Sequence, residues 1–251
     1  MIRYKSAREI ELMREAGRLA ADAVEYAGKL VEPGRTTGEI DAKVREFIIG
    51  RGAIPAFLGY RGFPANACVS INEEVVHGIP GPRKIVQGDL VSVDIGVKFK
   101  NYFGDCARTW GVGKISRAAA RILDAGRVAL QLATNAVTPG ARLSNVSRAV
   151  QDYAESLGFG VVRKFVGHGI GVEMHEEPQV PNFVTPGSGE YDVVLKPGLV
   201  VALEPMLTEG TYDVETLGNG WTVVTKDRKL AVHFEDMVAV TDSGREVLTV
   251  M

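Results

Sequence analysis

The chain has 251 residues, 45% hydrophobic and 24% charged, with a formal net charge of -2. A chain of this length can bury about three quarters of its unfolded surface, as one large domain or as two fused halves, and without a basic block neither nucleic acid nor an anionic membrane is expected as a partner. Two cysteines are too few for a disulfide framework, and there is neither an apolar core after Arg3 and Lys5 nor a run of about 18 apolar residues, so a soluble, cytoplasmic protein is expected.

Ser6-Ala-Arg-Glu9 reads as a capping box, and Ile10, Met13, Gly17, Ala20 and Val24 then fall on one helical face. This helix should end before Pro33-Gly34. Thr36-Thr-Gly-Glu39 opens a second helix with Ile40, Val44 and Phe47 inward and Gly52 as its stop. From Leu90 to Trp110 the pattern is a β-hairpin. Val91, Val93, Ile95 and Val97 face one way, while Leu90, Ser92, Asp94 and Gly96 face the other. With the turn centred near Lys100, Asp94 and Asp105 lie opposite each other. They are either two solvated acids on an exposed face or a pair that needs a proton or a cation between them.

The helical pattern then returns. Ser116 to Ala136 precedes Val137-Thr-Pro139-Gly140, and a further helix carries Val146, Val150 and Tyr153 inward with Gly158 at its end. Adding 106 to Val31, Pro33, Gly34, Ile40, Val44, Phe47 and Gly52 lands on Val137, Pro139, Gly140, Val146, Val150, Tyr153 and Gly158. The strands repeat at an offset of 110, which takes Gly88 to Gly198, Leu90 to Val200 and Asp94 to Glu204. Two similar halves joined near Gly111 to Ser116 would bring Asp94 and Glu204 to one central place. Glu235 lies in a strand-like stretch from Leu230 to Thr241, expected to pair with Thr222 to Thr225, and would be the counterpart of Asp105.

Four converging acids, Asp94, Asp105, Glu204 and Glu235, would be prohibitive without counter-charge. Two divalent cations supply it. Of the four histidines, His168 follows the strand-like Val161 to Val166 between glycines expected to let the backbone turn sharply and leave the ring access to a shared cavity, His175 follows seven residues on, and His77 ends a strand before Gly78-Ile-Pro80. Taken singly, each reads first as a hydrogen-bonded structural residue. So does His233, whose parity places it on the Glu235 face.

Taken together, these residues resemble the methionine aminopeptidases. Asp94, Asp105 eleven residues later, Gly-His168-Gly-Ile-Gly, Leu-Glu204-Pro-Met and Phe-Glu235-Asp match that family's metal set in order and spacing. The loops Gly59-Tyr-Arg-Gly62-Phe-Pro64, Ser70 to Pro80 and His175-Glu-Glu-Pro178-Gln-Val180 agree with it as well. The resemblance, from about Ser6 to Thr249, implies an α/β (α+β) pita-bread fold: one catalytic domain, 1–251, of two pseudo-symmetric halves, about 1–112 and 113–251, with a central, mainly antiparallel curved sheet covered by helices. Glu204 and Glu235 are 31 residues apart, too close for the helical insertion of type II enzymes, and no zinc-finger extension precedes Met1, so the short, bacterial-style type I form is expected.

The resemblance also implies roles. Asp94, Asp105, His168, Glu204 and Glu235 would hold two divalent metals, Mn(II), Fe(II), Co(II) or Zn(II), with Asp105 and Glu235 bridging and a metal-activated water attacking the first peptide bond. Glu204 would move the proton, His175 would stabilise the oxyanion, and His77 would contact the scissile nitrogen or position the substrate. Tyr60, Phe63, Cys68, His77 and Trp221 should line the methionine slot. Phe57 stands where a cysteine is common and Met174 where an aromatic residue is usual, and both alter the pocket wall. Expected partners are the N-termini of nascent polypeptides, with a ribosome contact left open, and a monomer is expected. A proline-directed peptidase of the same fold would usually carry an additional N-terminal domain. A non-catalytic binding protein on this fold would be expected to have lost metal ligands.

Overall fold

The computed structural model describes residues 1–184 and 192–250. Ser6 caps α1 (Ala7–Gly28), accepting from the Glu9 N–H while the Glu9 carboxylate accepts from the Ser6 N–H at 2.8 Å. Thr36 and Glu39 repeat the arrangement at α2 (Thr37–Gly50). Ser116 caps α3 (Arg117–Ala136). The first turn of α4 (Leu143–Ser156) has no side-chain cap from Arg142 and is held instead by Asp192, which accepts from the Ser144 N–H and Oγ at 3.0 and 2.6 Å.

The strands of the first half are β1 (Ile54–Pro55), β2 (Cys68–Ile71), β3 (Glu74–Val76), β4 (Leu90–Phe99) and β5 (Tyr102–Gly111). Those of the second are β6 (Gly160–Val161), β7 (Gly167–Gly169), β8 (Glu176–Val180), β9 (Val200–Leu203), β10 (Met206–Thr208), β11 (Val214–Thr216), β12 (Val223–Thr225), β13 (Ala231–His233), β14 (Asp236–Thr241) and β15 (Gly244–Val247). Every pairing among them is antiparallel. β4 lies between β2 and β5 as β9 lies between β7 and β14. Val91, Val93, Ile95 and Val97 are fully buried in one core with apolar residues of α1 and α2. Each such side chain contributes roughly 1.5–3 kcal/mol. The residues of α3 and α4 pack with β9 and β14 in a second core. Among the described residues no helix is long and apolar enough to cross a membrane.

Three local expectations are corrected. The β4–β5 hairpin turns on Lys100 and Asn101, both left-handed (φ 49° and 70°), so Phe99 pairs with Tyr102 and Asp94 faces Ala107. Asp105 stands opposite Gly96, a diagonal neighbour of Asp94. A two-residue turn with both residues left-handed moves the pairing by two positions, which preserves parity and keeps both acids on one face. Second, Thr222–Thr225 does not pair with the Glu235 segment. β12 pairs with β11 and β3, while the stretch from Leu230 breaks at Phe234 into β13, on β10, and β14, on β9. The break frees Glu235 to bond Ala107 of β5, N–H to O at 2.9 Å, and so joins the two sheets. Third, His168 is itself in a strand. Its flanking glycines serve close approach rather than a sharp turn, because a Cβ at Gly167 would meet Ala202 O at 2.3 Å and one at Gly169 would meet Glu177 O at 2.3 Å.

Candidate metal centre

Each half delivers its acids from equivalent places. Asp94 is on β4 and Asp105 on β5; Glu204 directly follows β9, and Glu235 lies between β13 and β14. β7 adds His168. The end of β13 adds His233, two residues before Glu235 and therefore on the same face. His168 Nε2 lies 3.4 Å from Glu204 Oε1 and 3.9 Å from Asp105 Oδ2. His233 Nε2 lies 3.8 Å from Glu204 Oε2 and 4.0 Å from Glu235 Oε2. Two groups of three donors result, Asp105–His168–Glu235 and Glu204–His233–Glu235, each with its donor atoms within 4.8 Å of one another. Glu235 belongs to both.

Among the described residues part of this cluster is left unsatisfied. One oxygen each of Asp94, Asp105, Glu204 and Glu235, and Nε2 of His233, are buried without a hydrogen-bond partner. Among the described residues no lysine or arginine pairs with any of the four acids, and the nearby Arg108 is bound to Asp236 at 2.7 Å. Burial, and then their neighbours' charge, raises Asp94, Glu204 and Glu235 well above the ordinary carboxylate range, and burial also raises Asp105. Burial pushes His168 down to about 4 and His233 to about 3, which keeps both rings neutral with lone pairs available. Hard oxygen donors with neutral imidazoles are the chemistry of a divalent first-row metal centre, so the residues present fit such ions.

Above the acids is a cavity of about 120 Å³ whose walls include Phe57, Tyr60, Phe63, Cys68, His77, His175 and Trp221. Phe63 meets the Trp221 ring edge-on at 5.1 Å, and His77, at φ 58°, lies edge-on to Trp221 at 6.3 Å. The Tyr60 hydroxyl bonds His175 Nδ1 at 2.9 Å with the two rings stacked. One side of His175 is exposed. Packing on the other side, and then the charges of His168, Arg61 and His77, hold its pKa below the usual histidine value. Met174 is fully buried and sits outside this wall. It packs with Phe57 over Gly96, where a Cβ would come within 2.5 Å of Phe57 and 2.7 Å of Met174, and so supports the wall from behind. Two residues went unforeseen, Arg61 at the cavity edge and His233 in the acid cluster. Only the His-x-Glu parity signalled the second, and nothing signalled the first.

The loop carrying His175 rests on an ion pair between Lys5 Nζ and Glu176 Oε2 at 2.8 Å, with both side chains at most 5% exposed. Glu176 also accepts from the Glu173 N–H at 3.2 Å. Lys5→Met would leave this carboxylate with the exposed Arg3, 4.0 Å from its other oxygen, as its counter-charge, so urea denaturation should show a loss of about 3 kcal/mol. A change under 1 kcal/mol would mean that Arg3 or water takes the place of Lys5 at Glu176.

The chain matches the profile of metallopeptidase family M24 over residues 11–242. It is 47% identical to methionine aminopeptidase 1 of Bacillus subtilis and 46% identical to the methionine aminopeptidase of Clostridium acetobutylicum, covering 99% of both chains in each case. The chain belongs to metallopeptidase family M24. Within that family it groups with the methionine aminopeptidases. The crystal structure of methionine aminopeptidase from Thermotoga maritima superposes with a TM-score of 0.96 at 42% identity, covering all of both chains. The pita-bread fold expected from the sequence is the fold the chain has, and M24 chemistry rests on divalent metal ions.

Proposed function

We propose that the chain removes the N-terminal methionine from nascent proteins and peptides, favouring a small second residue. The observation that carries this is the cluster of four unpaired carboxylates and His168 at the floor of an aromatic-walled cavity. Asp94, Asp105, His168, Glu204 and Glu235 would hold two divalent ions, Co(II), Mn(II), Fe(II) or Zn(II). When bound, the ions acidify a water and polarise the scissile carbonyl.

The rest is the work of side chains. Glu204 accepts the proton of the attacking water and returns it to the departing amine. A Tyr60 hydroxyl donating to His175 Nδ1 leaves the imidazole proton on Nε2, the form that donates to a developing oxyanion. His77 positions the peptide at its scissile nitrogen. Tyr60, Phe63, Cys68 and Trp221, with Phe57 braced by Met174, offer an unbranched thioether an apolar slot and exclude water from it. The chain acts as one catalytic domain of two halves, about 1–112 and 113–251. It works as a cytoplasmic monomer on polypeptide N-termini, at the ribosome or free of it.

The test is release of free methionine from Met-Ala-Ser by protein stripped with chelator and resupplied with each metal, beside Met-Leu-Ser, Leu-Ala-Ser and Ala-Pro-Ala. Metal-dependent release from Met-Ala-Ser, with little from the other three, is expected. Cleavage of Ala-Pro-Ala alone would reassign the chain to proline-directed hydrolysis.

A further inference from the structure

The five-residue metal set leaves out a donor that the fold aims into the same space. His233 is 2% exposed, and its Nε2 is buried without a hydrogen-bond partner, an arrangement that a protein interior does not leave uncompensated. Its separations from Glu204 Oε2 and Glu235 Oε2, 3.8 and 4.0 Å, are too long for hydrogen bonds. They suit two ligands of one cation. Donors each about 2.1 Å from an ion stand roughly 3.0 Å apart at a right angle and up to about 4.2 Å apart across it. His168, a member of the five, stands in the same relation to its own neighbours, 3.4 Å from Glu204 and 3.9 Å from Asp105.

The ring is held there by its backbone. The Thr109 hydroxyl accepts from the His233 N–H at 3.1 Å and donates to the His233 carbonyl at 2.8 Å, and it is fixed in turn by Ser92 Oγ at 2.7 Å. β10 pairs His233 with Met206, two residues beyond Glu204. The break at Phe234 leaves His233 and Glu235 pointing the same way.

We propose that His233 Nε2 is a sixth protein ligand of the dinuclear centre, on the Glu204 side, so that each of the two cation positions carries one imidazole. This rests on the metal-centre reading above. A second imidazole makes the set softer, which favours Zn(II) and Co(II) over Mn(II).

Counting imidazole ligands directly tests it. Protein labelled with ¹⁵N-histidine, stripped and reloaded with ¹¹³Cd, should show cadmium–nitrogen coupling at two imidazole nitrogens. His168→Gln should remove one and His233→Gln the other. The His233→Gln variant should also lose more than about tenfold in Zn(II) affinity, read by competition with a chromophoric chelator, with a smaller loss for Mn(II). A single coupled nitrogen, lost in His168→Gln, would overturn the proposal and leave the five-residue centre standing, with a water bridging His233 to the acids. No coupling at all, or no bound cadmium, would overturn both. The number of coupled nitrogens in the wild-type spectrum separates one imidazole ligand from two, the variants assign each nitrogen, and His175→Gln, which should leave both couplings in place, excludes the ring beside His168.

Discussion

Glu204→Gln is expected to lower kcat on Met-Ala-Ser by about 10³-fold, within the range assigned to a general acid–base. Glu204→Ala should leave turnover undetectable. The residue stands where both roles proposed for it meet. Oε1 is buried without a partner and 3.4 Å from His168 Nε2, while the side chain remains 14% exposed toward the cavity that admits substrate. Glutamine keeps the volume and removes the proton acceptor. The fold should not suffer, because the carboxylate makes no hydrogen bond that the variant would lose, and Asn182 holds the Glu204 backbone carbonyl at 2.7 Å in either case. The metal content of the purified variant, measured alongside kcat, separates loss of the base from loss of a bound ion. Near-normal turnover in a metal-loaded variant would remove the proposed role.

What could be read from the sequence was what is decided locally. Ser6 with Glu9, and Thr36 with Glu39, cap their helices as their spacing requires, and the β-branched alternation of Val91 to Val97 marks a buried face that the core contains. The repeat showed which acids are equivalent. Gly34 and Gly140, matched by that offset, adopt φ 92° and 84° at corresponding points. Register was not legible, since Lys100 and Asn101 carry no Asn-Gly or Asp-Gly signal and yet both adopt the left-handed conformation that sets every pair in the hairpin. The partner of β12 was not legible either. On one side it is the preceding β11, and on the other it is β3, nearly 150 residues earlier in the chain, a distance at which no local pattern encodes a pairing. His233 was missed for a related reason: its significance depends on a strand that stops at Phe234 so that Ala107 can take Glu235.

Stripping the metal should make stability fall as pH rises, and restoring the metal should abolish that fall. The signs of the two sets of groups decide where to look. Asp94, Asp105, Glu204 and Glu235 have folded pKa values raised above the unfolded range. Their contribution is therefore present below about pH 4 and is lost as pH climbs through the raised values. His77, His168, His175 and His233 are shifted down, so their cost is paid at low pH and disappears as pH rises toward about 6.5. Between about pH 4 and 6.5 the two sets oppose each other. From about 6.5 to 7.5 the histidines are neutral in both states and the thiols of Cys68 and Cys106, which burial raises, are still protonated in both, so the carboxylates, pressed together without counter-charge, dominate the difference between folded and unfolded. Each proton that the folded protein alone retains then costs about 1.4 kcal/mol per pH unit. Urea denaturation of chelator-treated protein at pH 6.5, 7.0 and 7.5, below the range in which the unfolded chain's cysteines ionise, should show this decline, while protein loaded with Mn(II) or Co(II) should stay flat, because bound cations hold the carboxylates ionised throughout. Glu204→Gln, which removes one of the four acids, should soften the decline in the stripped protein. A stripped protein equally stable at all three pH values would mean that the four acids are not forced to share protons, and the electrostatic case for a dinuclear centre would fall with that result.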